Sequence, residues 1–564
     1  MRRTNRNYAF TTAFVEALAG LGLRHVSITP GSRSSPLALA FADHPGITDW
    51  THHDERSSAF FALGLANASR RPVAVVTTSG TAAAELHPAV VEARQARIPL
   101  LLLTADRPPE LREVGAPQAI DQINLYGTSA KWFHDVGTPD QLLGRYPVTL
   151  AARAWVTALD LPAGPVHLNF PFRDPLAPVF VPGEVEESET ATPPLAYQPG
   201  FLEVGRGALE QIAEKVSGKR MLLIAGPLDR VRFATAVAGL AKRADAPIVA
   251  DPLSQLRAGD HDRSHVITTG DPLARVGRLD HDLQPDVVIR FGAVPTSKTL
   301  SAWLADHSHI PQILVDEAGW RDPGASAGTL VRSDPVSFAR HLTELVEPGS
   351  PGWLAAWVAA EASARAALSS TLTFPSEPAV VAGLANAIPD EVTLYVGSSM
   401  PVRDVDTFFP SIGRRVRILA NRGANGIDGL ISSGLGAAVE GRPVFILSGD
   451  LSLLHDLTAL GTAARFELPV TVIVVNNDGG GIFHFLPQAA FPQHFERLLG
   501  TPHGTDFQAA ADLFGVEHHQ VEGDRAFQDL MATSTMLPRL IEVRTDRTEN
   551  VAVHEKAWQA VADS

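Results

Sequence analysis

The sequence predicts an α/β protein of three domains, each a mainly parallel sheet flanked by helices. Short runs rich in Val, Ile and Leu, apolar on both faces, alternate with helix-like patterns such as SAFFALGLANASR and AAAELHPAVVEARQ. Parallel strands covered by helices read this way. Two stretches interrupt the alternation, the acidic, Pro-rich PGEVEESETATPPLAYQPG at 182–200 and EPGSPG at 347–352. At 443–487, two apolar runs (443–448 and 469–475) end abruptly in Gly449-Asp450 and in Asn476-Asn477-Asp478-Gly479, with the helix-like LHDLTALGTAARF between them. That is a strand, a crossover helix and a parallel strand. A right-handed crossover leaves both strand ends at one sheet edge, where open α/β sheets bind ligands.

The first domain, 1–181, takes its strands from RHVSIT, VAVVTT, IPLLLLT and PVHLNF, and the segment 182–200 is its linker. The central domain, 201–346, has MLLIAG, APIVAD, DVVIRFG and QILVD; the third, 353–564, has LYVGS, VRILAN, VFILSGD, TVIVVNN and LIEVRT. A chain of 564 residues with 45% hydrophobic and 19% charged residues is long and apolar enough for several cores. It carries 47 basic against 62 acidic residues and no long basic run, which argues against nucleic acid or an anionic membrane as partner. Anionic substrates would need cations concentrated locally, against the overall charge of −15. The absence of cysteine excludes disulfides, thiolate catalysis and Cys-bound metals. MRRTNRNYAFTTAF lacks the continuous apolar stretch of a signal peptide, and no apolar run reaches the roughly 20 residues of a membrane span. A soluble cytoplasmic enzyme is the expectation.

Asp450 and Asn477 are expected to face one another at the sheet edge. With a main-chain carbonyl from the turn, that of Gly479, they form a hard-oxygen set. Mg²⁺ favours such a set when a diphosphate and water complete its octahedron. Either piece alone is also an ordinary strand-ending turn; their spacing after two buried strands favours the metal.

In the first domain, TPGSRSSPLALAF sets a polar loop between strand and helix. Its N–H groups, the hydroxyls of Ser32, Ser34 and Ser35, and Arg33 suit an anion; a simple helix cap is the other reading. Glu55 opens a helix whose face is apolar through Phe60, Phe61, Leu63 and Leu65, either to complement the helix dipole or to act on a cofactor. His52 and His53 before it suit proton transfer or a solvated cap. TTSGTAAAEL is a further strand, turn and helix junction, and LTADRPPELREVGAPQAIDQ carries Arg107 and Gln118. An arginine at a strand's C-terminal end can clamp a carboxylate bidentately or form a surface ion pair.

GD followed by NN at this distance resembles the thiamine diphosphate and Mg²⁺ motif of thiamine-dependent enzymes. The fuller series is PGSRSSPLALAF, HHDERSSAFFALGLA, TTSGTAAAELHPAVVEA, LTADRPPELREVGAPQAIDQ, SSMPVRDVD, ANRGANGIDGLISS, SGDLSLLHDL and NNDGGGIFHFLP. It resembles the 2-succinyl-5-enolpyruvyl-6-hydroxy-3-cyclohexene-1-carboxylate synthase family of menaquinone biosynthesis. The likeness touches all but the linkers, densely in the first and third domains and thinly in the central one.

This resemblance implies a transketolase-type transferase that decarboxylates 2-oxoglutarate and adds the thiamine-bound enamine to isochorismate in a conjugate (1,4) fashion. It implies a homo-oligomer, a dimer of dimers, with the coenzyme between the first domain of one subunit and the third of another. Glu55 would activate the pyrimidine, with Ser398, Ile427, Leu451, Ser452 and Ile482 also on the coenzyme. Asp450, Asn477 and Gly479 would hold Mg²⁺, with Mn²⁺ as an alternative. Ser32, Arg33, Arg107, Gln118, Lys298, Ser399, Arg403 and Arg422 would line the substrate pocket, and Ile482, Phe483 and Leu486 its apolar wall. Some relatives carry a basic residue after the lysine; here Thr299 follows, which leaves that contact to Lys298. The central domain shows no dinucleotide fingerprint, so no flavin is expected.

Two other readings stand beside this one. Another thiamine-dependent 2-oxo acid decarboxylase or carboligase fits the metal motif, but four arginines suit dianionic substrates better than neutral-tailed ones, since unpaired arginines in a dry pocket are costly. A noncatalytic thiamine-binding protein would have no chemical need for Glu55.

Overall fold

The computed structural model describes residues 5–139, 144–184 and 195–564. Residues 185–194 of the expected linker, and the first four of the N-terminal stretch, lie outside the described residues. Among the described residues there are three six-stranded sheets in which every pairing is parallel. The first is β1 (His25–Ile28), β2 (Thr48–Thr51), β3 (Val73–Thr77), β4 (Leu100–Asp106), β5 (Trp132–Asp135) and β6 (Val166–Pro171), in the order β2-β1-β3-β4-β6-β5. The second is β7 (Met221–Ala225), β8 (Ile248–Ala250), β9 (Val266–Ile267), β10 (Val287–Phe291), β11 (Gln312–Val315) and β12 (Thr329–Val331), in the order β12-β11-β10-β7-β8-β9. The third is β13 (Val392–Val396), β14 (Val416–Ala420), β15 (Val444–Gly449), β16 (Val470–Asn476), β17 (Glu517–Gln520) and β18 (Arg539–Arg544), in the order β14-β13-β15-β16-β18-β17.

The first and third sheets therefore share one strand order. In each, the order reverses beside its first strand, and open sheets take ligands in the crevice at such a point. The second sheet has the order of dinucleotide-binding folds. There the turns after β7 and β10 touch: a Cβ on Gly226 would lie 1.8 Å from the Ala293 carbonyl oxygen. Main chain meets main chain at that point, the Ala293 N–H donating to the Pro227 carbonyl at 3.0 Å.

By proximity the chain forms two compact units, Met1–Pro199 with Asn421–Gly441 and Leu454–Leu468, and Gly200–Ala420 with Arg442–Leu453 and Pro469–Ser564. In the first unit the helix Glu55–Ser69 is buried along nearly its whole length, Phe60, Phe61, Leu63 and Leu65 included. The helix Leu430–Ala438 packs along it at very short range. A Cβ on Gly64 would lie 1.8 Å from the Ser433 carbonyl oxygen, and one on Gly436 2.0 Å from that of Phe61. Glycine is required at both crossings because main chain meets main chain there.

The expected crossover helix in LHDLTALGTAARF is instead two short helices, Asp450–His455 and Ala459–Arg465. Asp456 sits at the break, fully buried. Its carboxylate accepts the Ser432 N–H at 2.7 Å and the hydroxyls of Ser432 and Ser57 at 2.9 and 3.2 Å. Tertiary bonds at the break take precedence over a continuous helix.

Candidate active site

In the second unit, Asp450 directly follows β15 and Asn477 directly follows β16, its neighbour in the sheet. Asp450 is 2% exposed. Its Oδ2 accepts the N–H groups of Asn477 and Gly479 at 3.1 and 2.9 Å, and its Oδ1 that of Leu451 at 2.6 Å. His503 Nε2 lies 3.3 Å from Oδ2. Burial raises the Asp450 carboxyl above the usual carboxylate range, against the pull of these donors.

Asn477 donates its Nδ2 to Glu377 Oε1 at 2.8 Å, while its Oδ1 is buried with no hydrogen-bond partner among the described residues. A buried amide oxygen without a donor is unfavourable, and the same oxygen is a good ligand for a hard cation. Gly479 has φ +138°, and a Cβ there would lie 2.0 Å from the Gly500 carbonyl oxygen, so the tight turn needs glycine. Its carbonyl accepts the Gly481 N–H at 3.0 Å with one of two lone pairs. The Asp450 carboxylate, the Asn477 amide and the Gly479 main chain thus belong to one hydrogen-bonded turn.

Around this turn, Leu451 is half-buried and Ser452 buried in the helix that Asp450 opens. Ser398 is buried after β13, and Ser399 has φ +71°, a backbone region uncommon outside glycine. Its carbonyl accepts the Arg403 guanidinium one turn later in the helix Met400–Phe408. Burial lowers the Arg403 pKa, and Asp404, Asp406 and Asp271 act in the opposite sense. Ile482 and Phe483 sit in the single 3-10 turn Gly481–Phe485, with Leu486 after it, all half-buried. Lys298 is exposed at the start of the helix Lys298–Asp306.

In the first unit, the turns after β1 and β3 meet at the reversal of strand order. A Cβ on Gly31 would lie 2.3 Å from Thr78 Cβ. Arg107, after β4, donates to Ser79 Oγ. Gln118 Nε2 donates to the Ser79 carbonyl at 3.0 Å, and the Ser79 hydroxyl to the Gln118 carbonyl at 3.0 Å. Arg33 donates to the Phe172 carbonyl at 2.9 Å. Burial lowers the Arg107 pKa, and the charge of Arg33 lowers it further. Two guanidiniums near one another in a partly desolvated place suit a dianion. Arg422 and Ile427 lie in the turn before Leu430–Ala438.

Two expectations change at this end, for the serines and for the paired histidines. The Ser34 hydroxyl is committed to the Gly31 carbonyl at 3.0 Å and Ser35 leans on the same oxygen at 3.5 Å, so of the three serines Ser32 alone is exposed. Within so short a loop, its own carbonyl is the nearest acceptor. The helix cap at Glu55–Ser69 is Asp54, which accepts the Ser57 N–H at 3.0 Å. Half-buried Glu55 follows the cap as the first residue of the helix. The two histidines diverge. His52 is buried against Phe61, with neither ring nitrogen bonded among the described residues, and burial pushes it down to about 3. His53 is exposed, 3.1 Å from Arg465.

Two family models match the chain. Residues 9–125 match the N-terminal TPP binding domain of thiamine pyrophosphate enzymes and residues 413–543 the C-terminal TPP binding domain. Among curated proteins, the 2-succinyl-5-enolpyruvyl-6-hydroxy-3-cyclohexene-1-carboxylate synthase of Geobacillus kaustophilus (strain HTA426) is 47% identical over 98% of this chain and 97% of its own length. The chain belongs to the family of these synthases, which are thiamine diphosphate-dependent enzymes. The proteins of the same name from Geobacillus thermodenitrificans (strain NG80-2) and Chloroflexus aurantiacus are 46% and 45% identical, over 99% and 98% of this chain and 97% and 96% of their own lengths.

Within this synthase family member, several residues at the site escape a reading of the sequence. Ser79 lies inside a quoted motif, TTSG, but only its bonds to Arg107 and Gln118 single it out. His503 reaches Asp450, and its N–H and that of Gly504 bind Asp478 Oδ1 at 2.9 and 2.8 Å. Glu377, in SEPAVV, reads as part of a helix start, and nothing local ties it to a residue 100 positions away.

Proposed function

We propose that this enzyme releases CO₂ from 2-oxoglutarate and joins the remaining four-carbon unit to isochorismate by conjugate (1,4) addition. The product is 2-succinyl-5-enolpyruvyl-6-hydroxy-3-cyclohexene-1-carboxylate, a step of menaquinone biosynthesis. The observation that carries the reading is the buried, unpartnered Oδ1 of Asn477 beside Asp450, in a chain that matches both halves of a thiamine diphosphate site.

Asp450, Asn477 Oδ1 and the Gly479 carbonyl would hold Mg²⁺, or Mn²⁺, against the coenzyme diphosphate. Ser398, Ile427, Leu451, Ser452 and Ile482 would line the coenzyme. Bound thiamine diphosphate supplies a carbon nucleophile and accepts the electron pair left when CO₂ departs. Glu55 would hold a proton at the pyrimidine N1′ of the bound coenzyme. Ser32, Arg33, Arg107, Gln118, Lys298, Ser399, Arg403 and Arg422 bind and orient the carboxylates of the two substrates, where bidentate arginine contacts fix geometry as well as charge. Ile482, Phe483 and Leu486 exclude water, which favours loss of CO₂ from a charged centre.

The domains run 1–181, 201–346 and 353–564, with 182–200 as linker. The enzyme acts as a cytoplasmic homo-oligomer, a dimer of dimers, with each coenzyme between the first domain of one subunit and the third of another. No helix among the described residues is long and apolar enough to cross a membrane.

CO₂ release from 2-oxoglutarate, measured with thiamine diphosphate and Mg²⁺, should rise sharply on adding isochorismate, with the cyclohexene product identified by mass. Release indifferent to isochorismate would reassign the acceptor to another thiamine-dependent carboligation. No release would sink the enzymatic reading.

A further inference from the structure

An asparagine metal ligand poses a problem of orientation. Its oxygen and its NH₂ occupy nearly the same volume, and a turn of the amide by 180° presents two donors to the cation instead of a ligand. Packing cannot choose between them; only hydrogen-bonding neighbours can. For Asn477 the neighbour is Glu377, which is 3% exposed and whose Oε1 accepts from Nδ2 at 2.8 Å. Gly481 leaves the room this orientation needs, since a Cβ there would lie 2.6 Å from Nδ2.

Glu377 is itself held in place. It is the first residue of the helix Glu377–Ala387, whose N-cap Ser376 accepts the Ala379 N–H. Asp404 interacts with its carboxyl, and Asp404 Oδ1 lies 2.9 Å from His554 Nε2. His554 Nδ1 faces the Asn550 carbonyl at 2.8 Å, so both ring nitrogens meet acceptors and the imidazolium is the form that satisfies them. Asp404 and His554 are 2% and 3% exposed. Glu377 Oε1 accepts from Asn477 whether its carboxyl is ionised or not.

We propose that Glu377 is a positioning residue that locks the Asn477 amide with Oδ1 turned to the divalent cation, backed by Asp404 and His554. The inference rests on the reading of Asn477 as a metal ligand. Outer partners of metal ligands typically contribute about 10–100-fold to metal affinity.

The test is Mn²⁺ binding to the full-length protein with thiamine diphosphate, read from loss of the free Mn²⁺ electron paramagnetic resonance signal. Asn477→Ala should weaken it. Glu377→Met, whose thioether sulfur is only a weak acceptor, should weaken it by about 10–100-fold. Glu377→Gln, which can accept from Asn477 and donate to Asp404, should stay within about twofold of wild type by the same reasoning. In the Asn477→Ala background, Glu377→Met should add nothing further. If Glu377→Met fails to fold by thermal melting, Glu377→Asp, which withdraws the carboxyl by one methylene, takes its place with the same expected loss. Wild-type affinity in the Met and Asp variants, with Asn477→Ala weakened, would overturn the inference. So would an equal loss in Glu377→Gln, because charge and not acceptance would then matter. No Mn²⁺ binding by the wild type, or none lost in Asn477→Ala, would instead remove the metal reading beneath it.

Discussion

The Glu92 carboxylate accepts the main-chain N–H of Ala424 at 2.6 Å, and its other oxygen that of Gly423 at 2.7 Å. Glu92 is 3% exposed in the helix His87–Ala96, and a Cβ on Gly423 would lie 2.6 Å from both the Ala96 nitrogen and the Glu92 carbonyl oxygen. The turn carrying Arg422 is thus seated directly on helix backbone. Glu92→Ala would leave two N–H groups without their acceptor, at about 1–3 kcal/mol in folding stability for each left unsatisfied. If Arg422 binds substrate as proposed, it should also raise KM for that substrate by roughly tenfold, with kcat less affected. Urea melts and initial rates check both; an unchanged KM would dissociate this turn from substrate binding.

Glu55→Gln should separate coenzyme binding from the activation proposed for Glu55. Asp54 already caps the helix, so stability should be unchanged within about 0.5 kcal/mol. Exchange of the coenzyme C2 proton in D₂O, followed by NMR, should slow by about 100-fold or more. Normal exchange would remove Glu55 from the chemistry.

Asp450→Ala removes one expected metal ligand and the acceptor of three N–H groups. Titration calorimetry should show thiamine diphosphate affinity in Mg²⁺ reduced by about tenfold or more. The thermal midpoint should fall as well, because the turn at 477–479 loses its anchor. Undiminished coenzyme affinity would rule out the metal site.

Asp456 supplies a pH test of the fold. Burial pushes its carboxyl up to about 6 against the hydrogen bonds from Ser432 and Ser57. A carboxyl raised on folding binds more protons in the native state, so its contribution favours folding at low pH and is lost as pH rises toward 6. Between pH 5 and 7.5 this loss is about 1.4 kcal/mol. In Asp456→Asn it should vanish, so stability of the variant relative to wild type should rise by about that amount across the window. Paired urea melts at the two pH values test this; a flat or falling difference would contradict the assignment.

Gly64→Ala should damage the helix crossing more than a usual core substitution. Its Cβ would meet the Ser433 carbonyl oxygen at 1.8 Å, and backbone on the other side cannot rotate away. A cost of about 1–3 kcal/mol or more is expected from overpacking, visible as a lower thermal midpoint. An unchanged midpoint would show that the two helices part freely.

How much of this was legible beforehand follows from where the information sits. Interior strands such as β3 and β4 are buried at every residue, so their apolar runs stand out unaided. The strands that the pattern did not reveal are β2, β5, β9, β12 and β17, and each is the edge of its sheet. An edge strand such as β17, EHHQ, is paired on one side and faces solvent, so it carries little hydrophobic signal.

The sequence by itself determined the α/β class, the thiamine diphosphate family and the strand-end pair of Asp450 and Asn477. Those features are local, written in runs and turns of a few residues. Only the tertiary structure decided that Asp54 caps the helix that Glu55 opens, that Ser34 turns inward to Gly31, and that LHDLTALGTAARF breaks at Asp456. It also decided which end of the Asn477 amide points away from Glu377. Such choices depend on hydrogen-bond partners brought together from distant positions, and a buried polar group takes whichever partner the packed fold supplies.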